Sequence, residues 1–386
     1  MGRRTIACMT ATRADYPRVK PVLREIARRP GLDLKLIVTG AHLSRAFGHT
    51  VDLIERDGFE IAQRVPMYAE DARGGGDSVY DMTKAAARCM DGMADALRAI
   101  APDLFLITVD RVETLAAAAA GALMNLPLFH IQGGEVTGTI DESIRHAVTK
   151  LAHVHFPATP DAAERIVRMG EAPEHVHQVG CPYVDFIQSL RPLPKETLAQ
   201  RYGFDPARPL AIFVQHPVTS EYGRGMGQIR ATIEALGAFP GLEVFALFSN
   251  ADAGGREMTD LMRRQAGFCV HPNLHETEFL SLMHHASVMV GNSSAGIREA
   301  PSFGLPVVNI GSRQQGRLRA CNVIDVPHQT EAIAAALERA LNDAAFRARA
   351  AACVNPYGDG HAAARIVDIL EDQPLGPELT QKIIAY

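Results

Sequence analysis

The stretch from Leu104 to Glu135, LFLITVDRVETLAAAAAGALMNLPLFHIQGGE, decides the fold. It opens on an unbroken apolar run, Leu104–Val109, and passes through Asp110-Arg-Val-Glu113 into an alanine-rich segment of helix length, Glu113–Met124. It then returns to a second apolar run, Leu128–Ile131, and ends in Gln132-Gly-Gly-Glu135. Short apolar runs without alternation read as strands buried on both faces. A strand, a helix and a second strand joined by short connections form the unit from which parallel sheets are built.

The same alternation extends in both directions. Strands are expected at Thr5–Met9, Leu34–Val38, Val176–Val179, Leu210–Val214, Val244–Phe248, Val288–Val290 and Val307–Ile310. Helices are expected at Val79–Ile100, Ser143–Ala152, Pro160–Met169, Glu331–Ala352 and from His361 to about Glu371. The expected fold class is therefore α/β. The proline-bearing stretch Leu190–Pro209 has no strand pattern and separates two α/β halves. The expected division is 1–188 and 205–360, with a final helical segment at 361–386.

Composition excludes several classes. Hydrophobic residues make up 47% of the 386 residues and charged residues 22%, so the chain is globular rather than disordered. The balance of 39 Lys and Arg against 44 Asp and Glu leaves a net charge of −5, so no nucleic-acid or membrane-surface partner is expected from bulk charge. Six cysteines lie scattered with no CxxC pair, which argues for reduced thiols and a cytoplasmic setting. The opening MGRRTIACMT enters a strand-like run at once, and no secretory signal is expected there. There is no GxGxxG after the first strand, no GxxxxGK[ST] and no HExxH. Nicotinamide, flavin, P-loop and zinc sites therefore lack their signatures.

The residues just past the strands are more informative. The continuations are Thr10-Ala-Thr-Arg-Ala-Asp15, Thr39-Gly-Ala-His42, Asp110-Arg-Val-Glu113, Gln132-Gly-Gly-Glu135, His216-Pro-Val-Thr-Ser-Glu221, Gly291-Asn-Ser-Ser294 and Gly311-Ser-Arg313. Polar groups and glycines gathered at the carboxyl ends of parallel strands mark a ligand-binding edge. Two halves with such edges place the natural site in a cleft between them. Ser293 and Ser294 open a helix and offer either an anion site or simple capping. Glu299, about two turns into that helix, suits ribose hydroxyls. Arg13 and Arg313 read either as surface residues or as forked donors to a diphosphate. Asp110, Glu135, Glu142 and His216 are the acid–base candidates. Asp110-Arg-Val-Glu113 also fits a capping box, Glu142 also complements a helix amino end, and His216 also fits a structural histidine. The two glycines before Glu135 are expected to let that loop approach a ligand closely. Gly74-Gly-Gly-Asp-Ser78 reads as a mobile loop that folds over a cleft.

Taken in order, eight motifs carry a resemblance. They are Thr10-Ala-Thr-Arg-Ala-Asp-Tyr16, Asp110-Arg-Val-Glu113, His130-Ile-Gln-Gly-Gly-Glu135, Ile140-Asp-Glu-Ser-Ile-Arg-His146, His216-Pro-Val-Thr, Asn250-Ala-Asp-Ala-Gly-Gly255, Gly291-Asn-Ser-Ser294 and Val308-Asn-Ile-Gly-Ser-Arg-Gln314. The chain resembles the UDP-N-acetylglucosamine 2-epimerases over nearly its whole length. It is most similar to the hydrolysing branch that serves sialic and related nonulosonic acids. The resemblance implies the GT-B architecture: two Rossmann-like domains, a ligand cleft between them, and a last helix returning to the first domain. It implies Asp110, Glu135, Glu142 and His216 as catalytic residues. It implies Arg13, His42, Arg145, Asn250, Ser293, Ser294, Glu299 and Arg313 as substrate- or nucleotide-binding residues. It further implies a nucleotide-sugar substrate, UDP- or GDP-linked, a homodimer, and no metal or other cofactor. Two positions depart from the family pattern, since Ala11 and Val109 stand where glycine is usual. The reaction implied is elimination of nucleoside diphosphate across C1 and C2, then hydration to an N-acetylmannosamine-type free sugar. A non-hydrolysing epimerase, a GT-B glycosyltransferase and a non-catalytic nucleotide-sugar sensor are the alternatives.

Overall fold

The computed structural model describes residues 2–45, 49–68, 79–136, 140–218, 221, 223–248, 255–272 and 274–385. Residues 1–186 together with 357–386 form one compact unit, and residues 187–356 form the other. Among the described residues no helix is long and apolar enough to cross a membrane.

The first unit holds six parallel strands: β1 Arg4–Thr10, β2 Leu32–Thr39, β3 Ile61–Val65, β4 Leu104–Thr108, β5 Leu128–Ile131 and β6 Val154–Phe156. Their order across the sheet is β3-β2-β1-β4-β5-β6. Period-two alternation splits β1 between two cores. Ile6 and Cys8 pack with Val19, Leu23 and Ile26 of helix Tyr16–Arg28 and with Ile366, Val367 and Leu370 of helix Ala362–Asp372. Ala7 and Met9 pack on the opposite side with Cys89, Met93 and Leu97 of helix Val79–Ile100 and with Ala116–Ala118 of helix Val112–Leu123. Alanine is needed in that last helix because it lies close on the sheet. A Cβ on its Gly121 would come within 2.7 Å of Leu128 and 3.1 Å of Phe105.

The second unit repeats the plan with β7 Leu210–Val214, β8 Glu243–Leu247, β9 Phe268–His271, β10 Val288–Gly291, β11 Val307–Ile310 and β12 Val323–Val326. Read from its far end, the order is β9-β8-β7-β10-β11-β12, the same doubly wound sequence as in the first unit. Each order reverses once, between β1 and β4 in one sheet and between β7 and β10 in the other. Outside the carboxyl ends of those strand pairs, the connecting helices leave in opposite directions and open a crevice.

Several expected elements are corrected. Val176–Val179 is not a strand. It makes only a single bridge, Val176 to His155, after a 3-10 turn at Pro173–His175. Strands β3, β6, β9 and β12 were not expected; they form the outer edges of the two sheets, where strands are short and sequences more polar. Glu331–Ala352 is two helices, Thr330–Asn342 and Ala344–Ala351. The Asp343 carboxylate accepts from the N–H groups of Ala345 (2.9 Å) and Phe346 (3.1 Å), which starts a new helix and ends the old one.

Burial keeps three histidines of the first unit neutral. The pKa values of His42, His130 and His153 fall from the usual 6.5 to about 4 as their rings leave water. The unfolded chain therefore binds more protons between pH 6.5 and 4, and stability falls as pH drops through that window. The expected loss is about 1–3 kcal/mol per histidine. A urea midpoint followed by circular dichroism should drop steadily from pH 7 to pH 4.5; a flat midpoint contradicts neutral burial.

Candidate active site

In the first unit the polar edge is organised around one guanidinium. Helix Ile140–Leu151 carries Arg145, whose side chain is 1% exposed. Its Nε donates to Asp110 Oδ2 at 2.9 Å and its Nη2 donates to the same oxygen. Its Nη1 donates to the backbone carbonyl of Glu135. A buried cation needs such partners, and charge-assisted bonds of this kind are the strong ones. One side chain thus ties together the turn after β4, the loop after β5 and the helix that also carries Glu142. Glu142 faces His146 one turn on, with Oε1 3.6 Å from Nε2.

This placement bears on three expectations. Asp110 is not part of a capping box: the N-cap of helix Val112–Leu123 is Arg111, and the Asp110 carboxylate belongs to Arg145. Arg145, expected to bind substrate, is enclosed and holds other site residues. The glycines before Glu135 are required by the chain's own packing. A Cβ on Gly133 would lie 3.0 Å from His130 Nδ1, and one on Gly134, at φ +75°, would overlap the carbonyl of Ala162.

Val109 sits at φ +58°, a left-handed conformation that a β-branched residue rarely adopts. It is held there from both sides. Its N–H donates to Ile131 O at 3.1 Å, and its carbonyl accepts from His130 Nε2 at 2.8 Å. The glycine usual at this position in the resembling family therefore answers a backbone requirement, and Val109 meets it under strain of about 1–3 kcal/mol.

The turn after β1 is built on Asp15, which is 1% exposed. Its carboxylate accepts from the N–H groups of Ala11 (2.8 Å) and Thr12 (2.7 Å) and from the Thr12 hydroxyl (3.0 Å). Burial pushes its pKa up, and those N–H groups pull against the rise. Arg13 stands exposed on this turn. His42 lies in the 3-10 turn Gly40–Leu43 that follows β2. Its ring is 1% exposed, with Nε2 against Thr10 Oγ1 (3.1 Å) and Nδ1 against Thr50 Oγ1 (2.7 Å).

In the second unit the reversal point is locked by Asn292. Its Oδ1 accepts from His216 N–H at 2.7 Å and its Nδ2 donates to His216 O at 2.8 Å, joining the ends of β7 and β10. Gly291, at φ +124°, permits the approach, since a Cβ there would overlap Val214 O. Arg313 Nη1 (3.2 Å) and Gln314 Nε2 (2.9 Å) both donate to Asn292 O. Ser293 and Ser294 open only a single helical turn, Ala295–Arg298. Ser293 Oγ accepts from Ala295 N–H at 3.3 Å, whereas Ser294 makes no side-chain cap bond. Glu299 therefore lies one turn along rather than two, at the C-cap, and is 7% exposed.

Asn250 and the Gly74–Ser78 loop lie outside the described residues. Among the described residues no three His, Cys, Asp or Glu side chains gather into a metal-binding set. Asp15 and Asn292 were not singled out from the sequence. Their signals were an aspartate just before a helix start and an asparagine directly after a strand-ending glycine.

The family model described as UDP-N-acetylglucosamine 2-epimerase matches residues 24–371. The chain belongs to the UDP-N-acetylglucosamine 2-epimerase family. It is 37% identical to the UDP-N,N'-diacetylbacillosamine 2-epimerase (hydrolyzing) of Legionella pneumophila, over 99% of this chain and 100% of that one. It is 33% identical to the GDP/UDP-N,N'-diacetylbacillosamine 2-epimerase (hydrolyzing) of Campylobacter jejuni, over 84% and 85%. The crystal structure of UDP-GlcNAc 2-epimerase from Neisseria meningitidis bound to UDP-GlcNAc shares the fold, with a TM-score of 0.80 at 19% identity over 95% and 99%. The two Rossmann-like units are thus those of a GT-B-like 2-epimerase.

Within this family member Val109 provides a direct check on the geometry beside Asp110. At a left-handed position glycine is favoured over alanine, the reverse of ordinary sites. Val109→Gly should be more stable than Val109→Ala by about 1 kcal/mol in paired urea melts. The opposite order would contradict the assigned backbone conformation.

Proposed function

We propose that the chain is a hydrolysing 2-epimerase of a nucleotide-linked 2-acetamido sugar, releasing the C2-epimeric free sugar and a nucleoside diphosphate. The observation that carries this reading is the Arg145 arrangement, which fixes Asp110 and the Glu135 loop beside the helix bearing Glu142. The names of the two bacterial relatives support the hydrolysing outcome. They also support a 2,4-diacetamido sugar, UDP- or GDP-linked, as the first substrate to try, with UDP-N-acetylglucosamine beside it.

In this reading the residues at the polar edges divide the work. A carboxylate among Asp110, Glu135 and Glu142 takes the C2 proton. The C1–O bond breaks, its electron pair leaves with the diphosphate, and a double bond forms between C1 and C2. Arg13, Arg313 and the donors at Ser293–Ser294 meet the charge gathering on the leaving group. Glu299 accepts from the ribose hydroxyls. His216, its backbone held by Asn292, protonates or orients the departing phosphate. Water then adds its hydroxyl to C1, and a proton reaches C2 from the other side. Addition and removal of that proton on opposite faces need separate groups, which three carboxylates supply.

Incubation with a panel of UDP- and GDP-linked 2-acetamido sugars, with products read by NMR, tests the reading. The expected products are free epimerised sugar and nucleoside diphosphate with no acceptor added. An epimerised nucleotide sugar overturns the hydrolysing part, and no consumption overturns the whole. Glu135→Gln should keep nucleotide affinity and lose about 10²–10⁴ in turnover; wild-type turnover by the folded variant removes Glu135 from the mechanism.

A further inference from the structure

The end of the chain reaches the helix on which the first unit's polar edge depends. Lys382 Nζ donates to the backbone carbonyls of Thr149 (2.9 Å), Lys150 (3.0 Å) and Ala152 (2.5 Å). It also lies 2.5 Å from Glu171 Oε2. The carbonyls belong to the last turn of helix Ile140–Leu151 and the residue just beyond it, where no intrahelical partner remains. An ammonium has three N–H donors, and here they are shared among four acceptors, those three oxygens and a carboxylate that is 2% exposed. Glu171 is itself held by Lys150 Nζ (2.7 Å) and His155 Nε2 (3.1 Å). Three residues on, Ala385 N–H donates to Gly170 O at 2.9 Å. The tail is therefore fastened at two points.

A cation at a helix carboxyl end opposes the dipole and satisfies the open carbonyls. This helix is 12 residues, about 18 Å, long. Its other half carries Glu142 and Arg145, and Arg145 holds Asp110 and the Glu135 carbonyl. Anchoring one end of so short a rod sets the position of the other.

We propose that Lys382 is a positioning residue: by capping helix Ile140–Leu151 from its far end, it fixes Arg145 and through it Asp110 and Glu135. The proposal rests on the reading of those carboxylates as acid–base groups.

The test uses the full chain with Lys382→Met, Lys382→Gln, Lys382→Arg and, as a control, Arg4→Met. Arg4 Nη1 donates to Leu370 O at 2.5 Å, so its removal loosens the attachment of helix Ala362–Asp372 without touching helix Ile140–Leu151. Lys382→Met should lower kcat at least tenfold with KM within threefold, and Lys382→Arg should restore most of it. Arg4→Met should lower Tm but leave kcat within twofold. Lys382→Gln keeps two donors without the charge and replaces the methionine variant if that one does not fold, with the same loss expected. Hydrogen exchange at amides 140–146 and 110–113 is read in parallel. It should quicken at least tenfold in Lys382→Met and stay unchanged in Arg4→Met. Unchanged kcat in Lys382→Met, or equal kcat loss in Arg4→Met, overturns the proposal. So does unchanged exchange, whether or not the wild type turns over a nucleotide sugar. A wild type that consumes none defeats the functional reading instead.

Discussion

The Arg145 guanidinium is the interaction on which the first unit's polar edge depends. A cation with 1% of its side chain exposed is tolerated only where its donors are used. Its donors draw three pieces into one register: the turn after β4, the loop after β5, and the helix carrying Glu142. Around it, each neighbour's shape follows from steric necessity. Val109, directly before Asp110, is turned left-handed, and the buried neutral His130 holds the Val109 carbonyl. Gly133 and Gly134 are small because His130 and Ala162 leave no room.

The second unit solves the same topological problem with a neutral side chain. Its strand order reverses at the same place, but the two strand ends are joined by amide-to-backbone bonds from Asn292 to His216. Gly291 permits this because its missing side chain lets the end of β7 pass.

The sequence showed the sheet class because the central strands, such as Leu104–Thr108 and Leu210–Val214, are buried on both faces and so read as plain apolar runs. Edge strands escaped notice because Ile61–Val65 (IAQRV) and Val154–Phe156 (VHF) are too short or too polar to differ from loops. At the polar edges, residue types and their order pointed to the right family. They did not reveal which side chains are enclosed. The burial of His42 and Arg145, each 1% exposed, is visible only in three dimensions. Asn292 passed unremarked because its partner, the backbone of His216, is 76 residues away. Val109 looked like a mere departure from a family pattern until its dihedral angle explained the glycine that other members use.

In the proposed reaction, proton exchange at the sugar carbon next to the anomeric centre is the step that the three carboxylates serve. Running the reaction in deuterium oxide and locating the label by NMR tests it most directly. The account predicts one solvent deuterium at C2 of the released sugar. An epimerised product that retains its original hydrogen there would contradict it.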